Sequence, residues 1–192
     1  MNQITQNNSN IVSGSILDRA MQTNQTFAES FLDCEAVIMT DVSASMDTHD
    51  CHNGQSRFEA ANEQLKQLQA EMPGKIAVCS FSNSAKFCAA GLPKTTEGTT
   101  DMVEALEFMK DFDGAGIRLI LISDGEPDDE AATIRLAEKF ESKIDTIFVG
   151  NEMSSGREFL RRLSMATGGV SIVQNTDKIH LLSSNVRLLL GA

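Results

Sequence analysis

The sequence is short of positive charge and of long apolar runs. It has 16 lysines and arginines against 27 aspartates and glutamates, a formal net charge of −11. Nucleic acids and anionic membranes are bound through basic patches, so this balance argues against both as partners. No apolar run reaches the length that a bilayer-spanning helix needs. We therefore predict no nucleic-acid partner and no membrane segment.

The chain also lacks a secretory leader and paired cysteine motifs. Residues 1–8 have neither the positive start nor the apolar core of a signal peptide. The four cysteines, at positions 34, 51, 79 and 88, show no CxxC spacing. Reduced thiols are then expected. These features predict a cytoplasmic protein.

The length of 192 residues fits one domain, and no repeat or second domain is visible. Residues 1–34 are predicted to be a polar N-terminal segment, disordered up to about residue 10, with an extra helix over residues 15–32. That helix would cover the core of the domain, although a partner-docking arm is an alternative. Residues 35–192 are predicted to form the domain, with no fused catalytic module.

Within residues 35–192, apolar strand patterns alternate with helical ones. Strands are predicted over 35–40, 75–81, 85–89, 118–122, 143–149 and 170–174, and helices from 57 to about 72 and over 101–110, 130–141, 157–167 and 177–190. Such alternation predicts an α/β fold with a mostly parallel central sheet and helices on both faces.

The turn at Asn83 and Ser84 leads into a predicted edge strand. A two-residue turn there would pair Ser82 with Ala85 and, by counting outward, Cys79 with Cys88. A disulfide between those thiols is one interpretation. We favour the other, that both are small buried apolar residues.

The most informative stretch follows the first predicted strand. Its residues 41–45 read Asp-Val-Ser-Ala-Ser, and they emerge past the carboxyl end of that strand, where ligands sit in open α/β sheets. Alternate residues of an extended segment share a face, so Asp41, Ser43 and Ser45 can direct three oxygens to one place. Three such oxygens form half of a shell for a hard divalent cation such as magnesium.

Two later positions can supply further oxygens. Thr100 lies at the start of a predicted helix, and Asp124 directly follows the strand predicted over residues 118–122. Thr99 competes with Thr100 for this role.

Three short motifs carry a resemblance to a known family. They are Asp-x-Ser-x-Ser at 41–45, Thr-Asp-x-x-x-Ala-Leu at 100–106 and Ser-Asp-Gly-x-Pro at 123–127. In this order and spacing they resemble the von Willebrand factor A domain with its metal-ion-dependent adhesion site, over about residues 35–190. The resemblance favours Thr100 over Thr99, because Thr100 directly precedes Asp101.

The resemblance implies a fold and a ligand set. It implies a doubly wound, Rossmann-like sheet with one antiparallel edge strand, in which Asp41 and Asp124 lie on adjacent central strands. It also implies that Ser43, Ser45 and Thr100 ligate magnesium directly, with manganese or calcium as substitutes. Asp41 and Asp124 would act mainly through water, as a hydrated cation prefers.

The resemblance further implies a function. A Glu or Asp of a partner protein, supplied in trans, would complete the metal shell. Stand-alone intracellular members of the family are associated with AAA+ ATPases and stress-response complexes, so such a partner is expected here. The chain is therefore predicted to be an interaction module and not an enzyme.

Two other functions use the same residues differently. A metal-dependent hydrolase of the haloacid-dehalogenase kind would carry a second Asp at position 43, where this chain has Ser43. Phosphate-loop and nucleophile-elbow motifs are also absent from the sequence. The remaining alternative is a scaffold that does not use a metal.

An insertion over residues 47–54 follows the first motif. His49, Asp50, Cys51 and His52 include good zinc ligands, but adjacent Cys51 and His52 cannot easily face one ion. We favour a solvated loop on the rim of the site. His180, in the last predicted helix, is expected to be an ordinary helix residue.

Overall fold

The structure is a computed structural model that describes residues 10–151 and 153–191. The part of the predicted disordered tail before residue 10 lies outside the described residues. Within the described ranges, every helix is too short or too polar to traverse a lipid bilayer.

A six-stranded sheet forms the centre of the molecule, with strand order β3-β2-β1-β4-β5-β6. The strands are β1 (Ala36–Asp41), β2 (Ile76–Phe81), β3 (Ala85–Phe87), β4 (Arg118–Ser123), β5 (Ile144–Gly150) and β6 (Ser171–Asn175). All neighbouring pairs are parallel except β2–β3. This confirms the predicted doubly wound sheet with one antiparallel edge strand, and it places β1 and β4 side by side.

Helices cover both faces of the sheet. They are α1 (Ile16–Thr23), α2 (Phe27–Phe31), α3 (Arg57–Glu71), α4 (Met102–Met109), α5 (Glu130–Ala137), α6 (Ser155–Thr167) and α7 (Leu182–Leu190). Alternate side chains of β1 point to opposite faces, as the period of two requires. Met39 packs in the core under α4, α5 and α6, whereas Ile38 packs in the core under α3 and α7.

Two predicted helices are each divided in the structure. The one predicted over residues 15–32 is interrupted because Asn24 adopts a left-handed conformation (φ 54°) that ends α1, and Thr26 then caps α2. The one predicted over residues 177–190 begins as a 3₁₀ helix, Thr176–Leu181, with non-helical geometry at Lys178. Only α7 continues in the α conformation.

The predicted pairing of Cys79 with Cys88 is wrong by one position. Phe81 pairs with Ala85, so the turn has three residues, and Cys79 lies opposite Phe87. A one-residue slip moves a side chain to the other face of the sheet. All four cysteines are buried free thiols.

Candidate metal centre

Asp41 is fully buried at the carboxyl end of β1, and both of its carboxylate oxygens accept hydrogen bonds. The Ser43 backbone N–H donates to Oδ1 at 2.8 Å, and the Ser123 hydroxyl donates to Oδ2 at 2.6 Å. Ser123 is the last residue of β4, and its Oγ accepts from the Gly125 N–H at 2.8 Å. The β1–β4 pairing therefore fixes the Asp41 carboxylate in one orientation.

The hydroxyls of Ser43 and Ser45 meet beside Asp41. Their Oγ atoms are 3.0 Å apart. Ser43 is extended, and a short 3₁₀ turn begins at the next residue, so the chain bends after Asp41 and brings both hydroxyls together. The sequence-predicted convergence of Ser43 and Ser45 on one place is present.

Asp124 follows β4 and is also buried, but its two oxygens differ. Oδ2 accepts a hydrogen bond from Arg57 Nη1 at 3.1 Å, whereas the buried Oδ1 has no hydrogen-bond partner. Ser45 lies near this carboxylate and lowers its pKa without making a hydrogen bond of standard geometry. One carboxylate oxygen of Asp124 therefore remains available as an acceptor within the site.

A third loop, residues 97–101, joins the loops that carry Asp41 and Asp124. The Glu97 N–H donates to the Val42 carbonyl at 2.8 Å, and the Asp128 N–H donates to the Thr100 carbonyl at 3.1 Å. Thr100 is buried, but Thr99 is exposed and its hydroxyl donates to Asp128 Oδ2 at 2.6 Å. The Thr99 hydroxyl is already engaged with Asp128, which favours Thr100 as the oxygen donor.

Burial raises the pKa of both carboxyl groups in the site. The pKa of Asp41 rises to about 7, first because of desolvation and also because of the neighbouring Asp124 charge, against the hydrogen bonds from Ser123 and Ser43. Burial likewise raises the pKa of Asp124, with Ser45 and Arg57 opposing it. Two carboxylates are thus held where their negative charge is costly, and a bound cation would relieve that cost.

The chemistry of the donors decides whether a divalent cation fits. No group of three or more His, Cys, Asp and Glu side chains suited to a metal occurs in the described part of the chain. A cation here would depend on the hydroxyls of Ser43 and Ser45 as well as on carboxylates. A buried acceptor without a partner is uncommon, because leaving it unpaired costs free energy. Asp124 Oδ1 is one of several such atoms in the described structure, and the Ser45 hydroxyl lies near its carboxylate, so the residues fit a hard cation.

The insertion over residues 47–54 is only partly the solvated loop that we predicted. His49 and His52 are exposed, but Cys51 is buried in the core under α3 and α7. Asp50 accepts two hydrogen bonds from Arg57, at 3.0 and 2.7 Å. The loop is therefore attached to the site through Arg57.

Three residues of the site were not identified from the sequence. Ser123 orients Asp41, Arg57 holds Asp124, and Gly156 gives the Asp124 backbone room, because a Cβ there would lie 2.0 Å from the Asp124 carbonyl oxygen. The sequence offered only a weak signal for Arg57, which is a cation in the first turn of a predicted helix, where the helix dipole disfavours positive charge. Arg157 lies in the first turn of α6 in the same way.

A scan against known protein families and a search of curated proteins found no match. Solved structures do match. A von Willebrand factor type A protein from Catenulispora acidiphila has a TM-score of 0.61 and 20% identity, covering 82% of this chain and 42% of that one. The manganese-loaded TRAP protein of Plasmodium vivax has a TM-score of 0.55 and 12% identity, covering 83% of this chain and 74% of that one.

The chain thus spans less than half the length of the Catenulispora protein, and at these identities the likeness concerns the fold. The strand order, the antiparallel edge strand and the helices on both faces agree with it. The chain has the fold of a von Willebrand factor A domain.

Proposed function

We propose that this chain binds a divalent cation, magnesium, at Asp41, Ser43, Ser45, Thr100 and Asp124, and that the bound ion recruits another protein. The observation that carries the proposal is the buried, unpartnered Oδ1 of Asp124 beside the paired hydroxyls of the β1 loop. In this proposal the hydroxyls ligate the ion directly, and Asp41 and Asp124 act mainly through water, Asp124 through the Oδ1 that has no hydrogen-bond partner.

The partner would contribute an acidic side chain. A magnesium ion held by neutral hydroxyls and waters retains an exchangeable position, and carboxylate oxygen is a ligand that it prefers. We propose a separate cytoplasmic protein as the source of that Glu or Asp, an AAA+ ATPase or a stress-response complex by the resemblance noted above. The chain then acts as a binding module and not as an enzyme.

The first test is calorimetric titration with magnesium. Wild type should bind, Ser43→Ala should lose more than the roughly 10–100-fold in affinity that outer-shell changes cost, and Asp124→Ala should lose affinity within that range. Ser84→Ala and Asp33→Ala, at exposed positions, are matched controls that should bind as wild type does. Equal affinity in all five proteins would contradict the proposed site.

The second test addresses recruitment. Immobilised wild type should retain its partner from a lysate in magnesium and release it in EDTA, and Ser43→Ala should retain none. Retention that survives both EDTA and Ser43→Ala would mean that the chain is a scaffold that works without the metal. Magnesium-dependent turnover of phosphate esters, lost in Asp124→Ala, would instead establish a hydrolase.

A further inference from the structure

Arg57 is the one cation that contacts the carboxylates of the site in the described structure. Its side chain is 14% exposed, and its guanidinium bridges two aspartates. Nε and Nη2 donate to the two oxygens of Asp50, and Nη1 donates to Oδ2 of Asp124. Arginine presents its donors in a rigid planar fork, so the two-point attachment to Asp50 fixes the direction of Nη1.

This contact divides the Asp124 carboxylate into two unlike oxygens. Oδ2 accepts a hydrogen bond from the positively charged guanidinium, whereas Oδ1 has no hydrogen-bond partner. A metal ion would be repelled from the guanidinium side, so Oδ1 is the oxygen that would face it, directly or through water. Both oxygens of Asp41 are also occupied, by the Ser43 N–H and the Ser123 hydroxyl. Bidentate chelation would therefore place a cation against hydrogen bonds already formed by either carboxylate, and at Asp124 also beside a positive charge.

The distinction matters because divalent cations differ in how they use carboxylates. Calcium takes six to eight oxygens and readily accepts a bidentate carboxylate, whereas magnesium takes six in a compact octahedron and keeps several waters. We propose that Arg57, held by Asp50, is a specificity-determining residue that keeps Asp124 from binding in bidentate mode and so favours magnesium over calcium. The inference rests on the proposed function, since it concerns the same site.

The test is a ratio of affinities. Magnesium and calcium are titrated separately, by calorimetry, into wild type and Arg57→Met, a neutral replacement of similar length. Removal of a positive charge should raise the affinity for both ions to a similar degree. The ratio of the magnesium and calcium affinities therefore isolates the change in how the Asp124 carboxylate binds the ion. We expect the preference for magnesium to fall by roughly tenfold, within the range of outer-shell effects on metal sites.

Three further variants complete the test. Arg57→Lys retains a charge beside Oδ2 and should keep most of the preference, and Asp50→Asn, which weakens the hold on Arg57, should give an intermediate ratio. Arg161→Met, at an exposed arginine paired with Glu158, is the matched control and should behave as wild type. Thermal unfolding in EDTA verifies that each variant is folded.

The possible outcomes separate the two proposals. An unchanged ratio in Arg57→Met, with both ions still bound, would overturn the role of Arg57 and leave the metal site standing. Failure of wild type to bind either ion would overturn the site itself. A lowered ratio in Arg57→Met that is absent from Arg161→Met would support both.

Discussion

At the scale of single residues, two glycines set the position of Asp124. Gly156, in the first turn of α6, and Gly125, at φ 77°, pack backbone against backbone. A Cβ on Gly125 would lie 2.3 Å from the Gly156 carbonyl oxygen. The carboxylate is thus positioned by close contact of two main chains, which only glycine permits.

We expect Gly156→Ala to damage the metal site as well as stability. Its Cβ would press on the Asp124 carbonyl oxygen, and overpacking of this kind costs about 1–3 kcal/mol. Magnesium affinity should fall because Asp124 moves. Gly169→Ala is a matched control, because its Cβ would lie 2.1 Å from the Ile144 carbonyl oxygen, in contact with no residue of the site. It should lose stability but keep its affinity, and parallel losses of affinity in both would contradict this explanation.

The raised pKa of Asp41 predicts how the metal-free protein responds to pH. Between its ordinary value of 3.8 and about 7, the folded state binds more protons at Asp41 than the unfolded state does. Linkage then requires the free energy of unfolding to decrease as the pH rises through this window, and the raised pKa of Asp124 acts in the same direction.

Denaturant titrations in EDTA from pH 4.5 to 7.5 measure this dependence. Asp41→Asn cannot ionise at that position, so its free energy of unfolding should decline less steeply with pH than that of wild type. Equal slopes in the two proteins would mean that Asp41 does not titrate in this range.

At the scale of secondary-structure elements, the start of α3 controls where Arg57 stands. Ser56 caps the helix by accepting from the Glu59 N–H, and the Glu59 carboxylate accepts from the Ser56 N–H at 3.0 Å. The Arg57 N–H donates to the Thr48 carbonyl of the insertion. The helix, the insertion and the proposed metal site therefore meet at one helix terminus.

We expect Ser56→Ala to reduce the free energy of unfolding by about 1 kcal/mol, the usual cost of losing a side-chain cap. Fraying of the first turn should also loosen Arg57 and lower the magnesium-to-calcium preference. Thr26→Ala removes the same kind of capping box from α2, whose phenylalanines pack on Phe87 and Phe112, and is the matched control. A changed preference in Thr26→Ala would show that general loss of stability, not Arg57, is responsible.

At the scale of the whole molecule, the sheet and its helices could be predicted from the sequence. Buried parallel strands appear as short apolar runs, and the helices that connect them appear as amphipathic segments. Asp41, Ser43, Ser45 and Asp124 could be found because they follow such runs directly. Arg57 and Ser123 could not be assigned roles in the same way. Their partners are 67 and 82 positions away. The β1–β4 pairing brings Ser123 to Asp41, and the placement of the start of α3 brings Arg57 to Asp124. The predicted pairing of Cys79 was wrong because a turn of two residues and a turn of three residues look alike in sequence.

The four buried thiols offer a test of whether the molecule opens locally or as a whole. Burial raises the pKa of Cys34 and of Cys51 to about 11, and that of Cys79 further, so few thiolates exist at pH 8. Native protein should resist iodoacetamide, and denatured protein should gain four labels by mass spectrometry.

We expect Cys51 to differ from the other three thiols in its reactivity. It lies in the insertion held by the Asp50–Arg57 ion pair, so Asp50→Ala should speed alkylation of Cys51 alone. Equal acceleration at all four thiols would indicate global unfolding instead. A native mass lowered by two hydrogens would contradict the free thiols.

The pairing of β1 with β4 also has a kinetic consequence. The hydrogen bond from Ser123 to Asp41 joins positions 82 residues apart, so α3, β2, β3 and α4 must be accommodated between them before the two loops meet. Contacts at such long separation slow folding, because the loop between them must close first. A refolding chain would acquire its affinity for the ion only once these central strands are joined. Uptake of magnesium during refolding would then report when the central strands of the sheet assemble.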